Sequence, residues 1–127
     1  MPNGDFRLRD AKVFLLTSES TNSAAEYFAL AMKASGRATL VGSRTSGANH
    51  FGGMIPLPGG YAAFIPVGRT YDPATGKDWE GTGVSPDVDV PPEDALAWAL
   101  QSLGISKAEA ARLSASHAPS GSMKRRR

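Results

Sequence analysis

Ser23 stands three residues ahead of Glu26, where a short apolar run gives way to a helical pattern. In parallel α/β folds, ligand-facing groups lie beyond the carboxyl ends of strands, where helix N-termini direct free N–H groups outward. A serine at that point can present its hydroxyl to an acyl carbon as a nucleophile. The N–H of Ala24 is then placed to hold the oxyanion, a contact worth about 3 kcal/mol of transition-state stabilisation. The small side chains of Ala24 and Ala25 leave room for a substrate to approach. The same serine–glutamate pair is also a capping box, which any helix of this kind needs and which is worth about 1 kcal/mol. No G-x-S-x-G elbow is present to separate the two roles. Local pattern leaves both open.

Other candidates are fewer. His50 is an available general base, on condition that it comes within hydrogen-bond reach of the serine; as a plain loop histidine it would contact backbone or solvent. Glu80 can orient such a base, or can be an exposed carboxylate at the end of a strand. Glu26 reads as a helix cap and not as an acid. Asp87 and Asp89 alternate with Val88 and Val90, the pattern of a half-exposed strand and not of a metal pair. Two histidines and scattered carboxylates give no metal-ligand spacing, so neither a metal nor a cofactor is expected. Trp79 and Trp98 read as core or interface residues, and His117 as an inert tail residue.

The elements that must position these groups follow from periodicity. Lys12 to Thr17 predicts a strand; Val13, Phe14, Leu15 and Leu16 are apolar without alternation, which implies burial on both faces. Ser23 to Ser35 predicts a helix ended by Gly36. Its apolar residues Ala24, Ala25, Tyr27, Phe28, Leu30, Ala31 and Met32 cover most of the circumference, which predicts a well-buried helix. Ala38 to Gly42 completes a βαβ unit. Thr45 to Gly53 reads as a glycine-containing loop carrying His50. Met54 to Leu57 and Tyr61 to Val67 read as a hairpin through Pro58-Gly59-Gly60, with Pro56 and Pro66 favouring edge positions. Residues 72 to 76 form a turn, Val84 to Val90 is extended, and Pro91-Pro92 opens a helix to Leu103 with an apolar stripe of Leu96, Leu100 and Leu103. Ser106 and Glu109 cap a short last helix. The expected division is a lead-in over 1–11, a body over 12–103, a short helix over 104–116 and a disordered basic tail over 117–127.

Composition narrows the classes. The chain of 127 residues is about one domain's worth, and its lack of cysteine removes disulfides and thiolate chemistry. Lys124, Arg125, Arg126 and Arg127 supply four of the 14 basic residues, leaving 10 against 12 acidic ones, so the positive net charge belongs to the tail. No basic face with interleaved aromatics appears, and no apolar run approaches membrane-spanning length. Neither nucleic acid nor a membrane is an expected partner. Residues 1–10 are polar and show no signal-peptide pattern.

Three segments occur in order: Thr17-Ser18 with Asn22-Ser23-Ala24-Ala25-Glu26-Tyr27-Phe28, then Gly36-Arg37-Ala38-Thr39-Leu40-Val41-Gly42, then Trp79-Glu80-Gly81-Thr82-Gly83-Val84-Ser85-Pro86-Asp87. Together they resemble the tail-specific (C-terminal-processing) serine peptidase family, and most nearly its interphotoreceptor retinoid-binding protein-like branch. The resemblance runs from about Lys12 to Leu100. It implies an α/β fold, the C-terminal portion of a crotonase-like β-β-α superhelix, with Ser23 as nucleophile and Ala24 as an oxyanion donor. It also implies cleavage of unstructured polypeptide through an acyl-enzyme, without a cofactor. The best-known branch uses a Ser-Lys dyad, and here Ala48 occupies the lysine's place. Lys33 cannot substitute, because ten helical residues span about 15 Å. Other branches lack that lysine; tricorn-like enzymes use an upstream histidine assisted by a downstream glutamate, which Glu80 matches in position. The family's upstream half has no counterpart in these 127 residues. Either these residues are a fragment or a short gene product, or the chain relies on a base and oxyanion loop from an upstream half-domain or a second copy of itself. Relatives are often exported, but the compartment of this chain is left open. The rival reading is a non-catalytic module of the same fold that binds an apolar small molecule or polypeptide.

Overall fold

The computed structural model describes residues 8–72 and 75–117. A three-stranded parallel sheet has the order β1-β2-β5, with β1 over Phe14–Thr17, β2 over Thr39–Gly42 and β5 over Val88–Asp89. Helix α1, Ala24–Ala34, joins β1 to β2 and makes the expected βαβ unit. Strands β3, His50–Leu57, and β4, Tyr61–Arg69, pair antiparallel as a separate ribbon. A short 3-10 segment at Pro92–Asp94 leads into α2, Ala95–Ser102, and α3 spans Lys107–His117.

The middle strand carries the core. Leu40 and Val41 on β2 are fully buried, because β2 has a strand on each side and helices over it. Leu40 packs with Ala29 of α1, Trp79 and Val84, and Leu15 and Leu30 close the cluster. Trp79 is thus a core residue, as its sequence context suggested. Phe14 meets Trp98 of α2 edge-on, with ring centroids 6.3 Å apart.

Several expectations need correction. Strand β1 is the edge of its sheet, and Leu16 on it is exposed, so its unbroken apolar run does not mean burial on both faces. Helix α1 is not well buried either. Only Glu26 and Ala29 are buried in it, while Tyr27 and Phe28 are 55% and 52% exposed. Apolar content around a helix reports what it can bury, not what covers it. His50 lies on β3, not in a loop, and the ribbon is longer than its apolar run because pairing continues to Arg69. Of the extended stretch 84–90, only Val88 and Asp89 pair with β2. Helix α2 buries Ala95 and Ala99 and leaves Leu103 exposed. His117 closes α3 and does not begin a tail; the tail proper, 118–127, lies outside the described residues, as do Pro73 and Ala74 of the turn.

Lys33 near the end of α1 pairs with Asp87 at 2.8 Å and donates to the Ser85 carbonyl at 2.8 Å. Asp87 in turn accepts the Leu40 N–H at 2.9 Å. The lysine and the aspartate are therefore fastenings between helix and sheet. Because Leu40 is buried at the centre of this assembly, Leu40→Ala should cost about 3 kcal/mol. Urea unfolding measures that loss; a change below about 1 kcal/mol would mean that β2 is not the core strand.

Candidate active site

The turn from β1 to α1 carries the only non-glycine residue with positive φ among the described residues, Ser23, at φ 52° and ψ −123°. This is the mirror image of extended backbone, a region that L-residues avoid and that persists only where surroundings enforce it. Serine nucleophiles on strand-to-helix turns have this kind of sharp, strained geometry, which lifts the hydroxyl clear of the sheet. Ser23 is exposed, as are Ala24 and Ala25.

Ser23 and Glu26 do form a capping-box pair, and its two arms differ. On one arm the Ser23 N–H donates to Glu26 Oε2 at 2.8 Å. On the other, the Ser23 side chain faces the N–H of Glu26, while the N–H groups of Glu26 and Tyr27 also point to the Ser23 carbonyl at 2.9 and 3.1 Å. The Ala24 N–H takes no part in the backbone bonds that close this first turn.

Glu26 reaches well beyond the helix. It is fully buried. Oε1 accepts the Thr45 hydroxyl at 2.5 Å and the Gly47 N–H at 2.7 Å. Oε2 accepts the N–H groups of Ser23 and Ala48, each at 2.8 Å. Burial pushes this carboxyl up, but the bonds from Thr45, Gly47, Ala48 and Ser23 together outweigh it and hold the pKa below the usual glutamate value. The Thr45 hydroxyl also accepts the Val84 N–H at 2.7 Å, so the chain continues into the next loop. Gly47 has φ 85°, and a Cβ there would lie 3.0 Å from the backbone of Gly81 and Gly83. Only glycine lets segment 45–48 pass this close.

The next two N–H groups are held by a second carboxylate. Glu80 Oε2 accepts from Asn49 at 2.7 Å and from His50 at 3.0 Å, and Glu80 Oε1 lies 3.5 Å from His50 Nδ1. The structure thus brings His50 and Glu80 together. No hydrogen bond joins either of them to Ser23, although Glu80 holds the N–H of Asn49, which lines the cavity beside Ser23. Ser23 and Ala24 line a cavity of about 210 Å³ with Tyr27, Asn49, Phe51, Thr70 and Trp79. His50 faces a different one, with Pro66, Gly68 and Arg69. Strand alternation accounts for the separation, since Asn49 and Phe51 flank His50 and face the serine's cavity. Asn49 is itself fixed, its side chain bridging to the Thr70 carbonyl at 2.7 Å.

Several of these residues escaped the sequence reading. Thr45 and Gly47 as partners of Glu26, and Asn49, Phe51 and Thr70 as cavity walls, carry no local signal, because their roles depend on contacts about twenty or more residues apart in sequence.

A mixed α/β scaffold here carries an exposed, strained serine at a helix N-terminus. Comparison with known proteins is specific. Residues 2–90 match the model of peptidase family S41. The chain belongs to that family. It is 32% identical over 93 residues to a carboxyl-terminal-processing protease of Picosynechococcus sp., covering 73% of this chain and 22% of that protein. It is 38% identical over 79 residues to a chloroplastic C-terminal processing peptidase of Tetradesmus obliquus, covering 62% of this chain and 17% of that one. Among solved structures, it resembles a photosystem II D1 C-terminal processing protease with a TM-score of 0.55 and 36% identity, over 65% of this chain and 21% of that one. Mature CPAF also gives a TM-score of 0.55, with 28% identity over 66% of this chain and 17% of that one. The chain thus spans about a fifth of the length of these relatives.

The Glu26 network makes stability depend on pH in a definite direction. Since the folded pKa lies below the unfolded value of about 4.3, the contribution is complete above that value. It declines as pH falls and is gone once pH passes below the folded pKa. Glu26→Gln turns an acceptor into a donor against donors, and should cost about 3 kcal/mol at pH 7 while flattening the loss of Tm between pH 5 and pH 3. Thermal melts of both proteins across that range check the sign.

Proposed function

We propose that this chain is the nucleophile-bearing part of a serine peptidase domain. Ser23 Oγ attacks the carbonyl carbon of a polypeptide, the Ala24 N–H stabilises the oxyanion, and the C–N bond breaks as the amine leaves with a proton. Water then hydrolyses the acyl-enzyme. The observation that carries this reading is the Ser23 backbone, at φ 52° and ψ −123°, which a helix cap does not require. Family membership and the curated relatives' names as processing peptidases support it.

The base is a separate matter. His50 with Glu80 is the pair that the sequence offers, and their contact at 3.5 Å supports a mutual role. That neither lines the serine's cavity favours a base delivered by another stretch of polypeptide, either an upstream half-domain or a second copy. Ala48 in the lysine's place supports assignment to the retinoid-binding protein-like branch. The βαβ sheet with its added ribbon is consistent with the C-terminal portion of a crotonase-like superhelix, with residues 12–103 as its body.

One observation favours the binding-module reading. The serine's cavity shares Tyr27, Thr70 and Trp79 with a neighbouring one of about 300 Å³ lined further by Leu30 and Ala31. Trp79 Nε1 is the one buried side-chain polar atom without a partner among the described residues. An apolar ligand with a single acceptor suits such a place.

A fluorophosphonate probe separates the two readings. The peptidase reading predicts labelling that disappears in Ser23→Ala. It also predicts that Ala48→Lys accelerates labelling about 100-fold, because residue 48 shares the Glu26 carboxylate with Ser23 and would bring a base beside it. Absence of labelling in both the parent chain and Ala48→Lys would leave Ser23 as a helix cap.

A further inference from the structure

The β3–β4 ribbon is left largely bare by the other described residues. From Phe51 to Gly68, eighteen residues include no charged side chain and only one with a hydrogen-bonding group, Tyr61. Cross-strand pairing sorts them onto two faces. The pairs Gly53–Ile65, Ile55–Ala63 and Leu57–Tyr61 share one face, and Gly52–Pro66, Met54–Phe64 and Pro56–Ala62 share the other. Ile55, Leu57, Tyr61 and Ile65 are between 45% and 75% exposed. A two-stranded ribbon alone in water is marginally stable, and contiguous apolar exposure of this extent marks a surface that associates.

We propose that the face carrying Ile55, Leu57, Tyr61 and Ile65 is the interface through which two copies of this chain associate, ribbon on ribbon. A two-fold interface sets a patch against itself, which a charged surface resists and this uncharged one does not. Gly53 and Ala63 lie between the four large side chains, so the centre of the face is shallow and the backbones can approach closely. The four side chains and their small neighbours offer on the order of 500 Å² per copy, or about 1,000 Å² in all, the lower limit for a specific interface. Pro56 and Pro66 each remove a backbone donor from a strand, which disfavours open-ended growth along the edges and directs association to the face. Phe51, at the base of the ribbon, also walls the Ser23 cavity, so the interface begins beside the candidate site. The inference itself does not depend on the role of Ser23.

Sedimentation velocity of the whole chain, from about 1 to 300 µM, tests this, the range suiting the weak affinity of a small interface. The mass should move from one chain to two across it. Ile55→Lys should remain monomeric throughout, whereas Met54→Lys, on the opposite face, should still dimerise. Since the chain has no cysteine, single cysteines give a second reading that charge does not disturb. Mild oxidation should cross-link Ile55→Cys at least tenfold faster than Met54→Cys. A monomer at every concentration would overturn the proposal and leave this face to a different polypeptide, such as one that completes the family domain. Polydisperse aggregation, dimerisation that only Met54→Lys abolishes, or equal cross-linking at both positions would overturn it too.

Discussion

A carboxylate removed from water must have its charge met by donors, or it will protonate or unfold what surrounds it. Glu26 is removed completely, and four donors within 2.8 Å meet both of its oxygens. Those donors come from the β1–α1 turn and from segment 45–48, which are also joined by the Ser46 N–H donating to the Thr21 carbonyl at 3.0 Å. The burial that makes the charge costly also makes each bond to it strong. This one side chain therefore fixes the backbone of Ser23 and the course of the glycine-rich segment together. Glu80 extends the arrangement, so that four successive N–H groups, from Gly47 to His50, end on carboxylates.

The strain at Ser23 follows from this fastening. Its N–H is drawn toward Glu26 while its carbonyl must accept the first bonds of α1, and the residue between is forced to positive φ. A helix that needed only a cap would relax. Here the cost is met by a network that spans three loops, since Thr45 passes the connection from Glu26 to Val84. The result is an exposed hydroxyl beside an N–H that closes no turn, at the mouth of an aromatic-walled cavity. Rigid support beneath an exposed hydroxyl is what the proposed acyl transfer requires.

The sequence carried the βαβ order, the hairpin and the helix start with little error, because strand and helix periods and the Pro58-Gly59-Gly60 turn are local signals. It also carried the position of Ser23, at the helix end of the turn that follows a strand. What it could not carry were the faces. The apolar run of β1 and the apolar girdle of α1 both predicted burial, and in the structure Leu16, Tyr27 and Phe28 are exposed. Burial depends on what lies opposite, which composition does not record. Glu26 was legible as half of a capping box, but its partners at Thr45, Gly47 and Ala48 lie about twenty residues away and follow no period. That His50 and Ser23 line different cavities was equally hidden, since it turns on which residues of one strand face which way.

The stability of Ser23→Gly tests the central claim, that this residue is held in a strained conformation. An ordinary N-cap serine loses a few tenths of a kcal/mol when replaced by glycine. At φ 52° and ψ −123° glycine is at ease and serine is not, so relief of strain should raise stability by about 1 kcal/mol. A chemical denaturation curve with a higher midpoint for Ser23→Gly than for the parent chain is the predicted result. A lower midpoint would show that Ser23 is a relaxed helix cap, and would contradict the account of the site built on it.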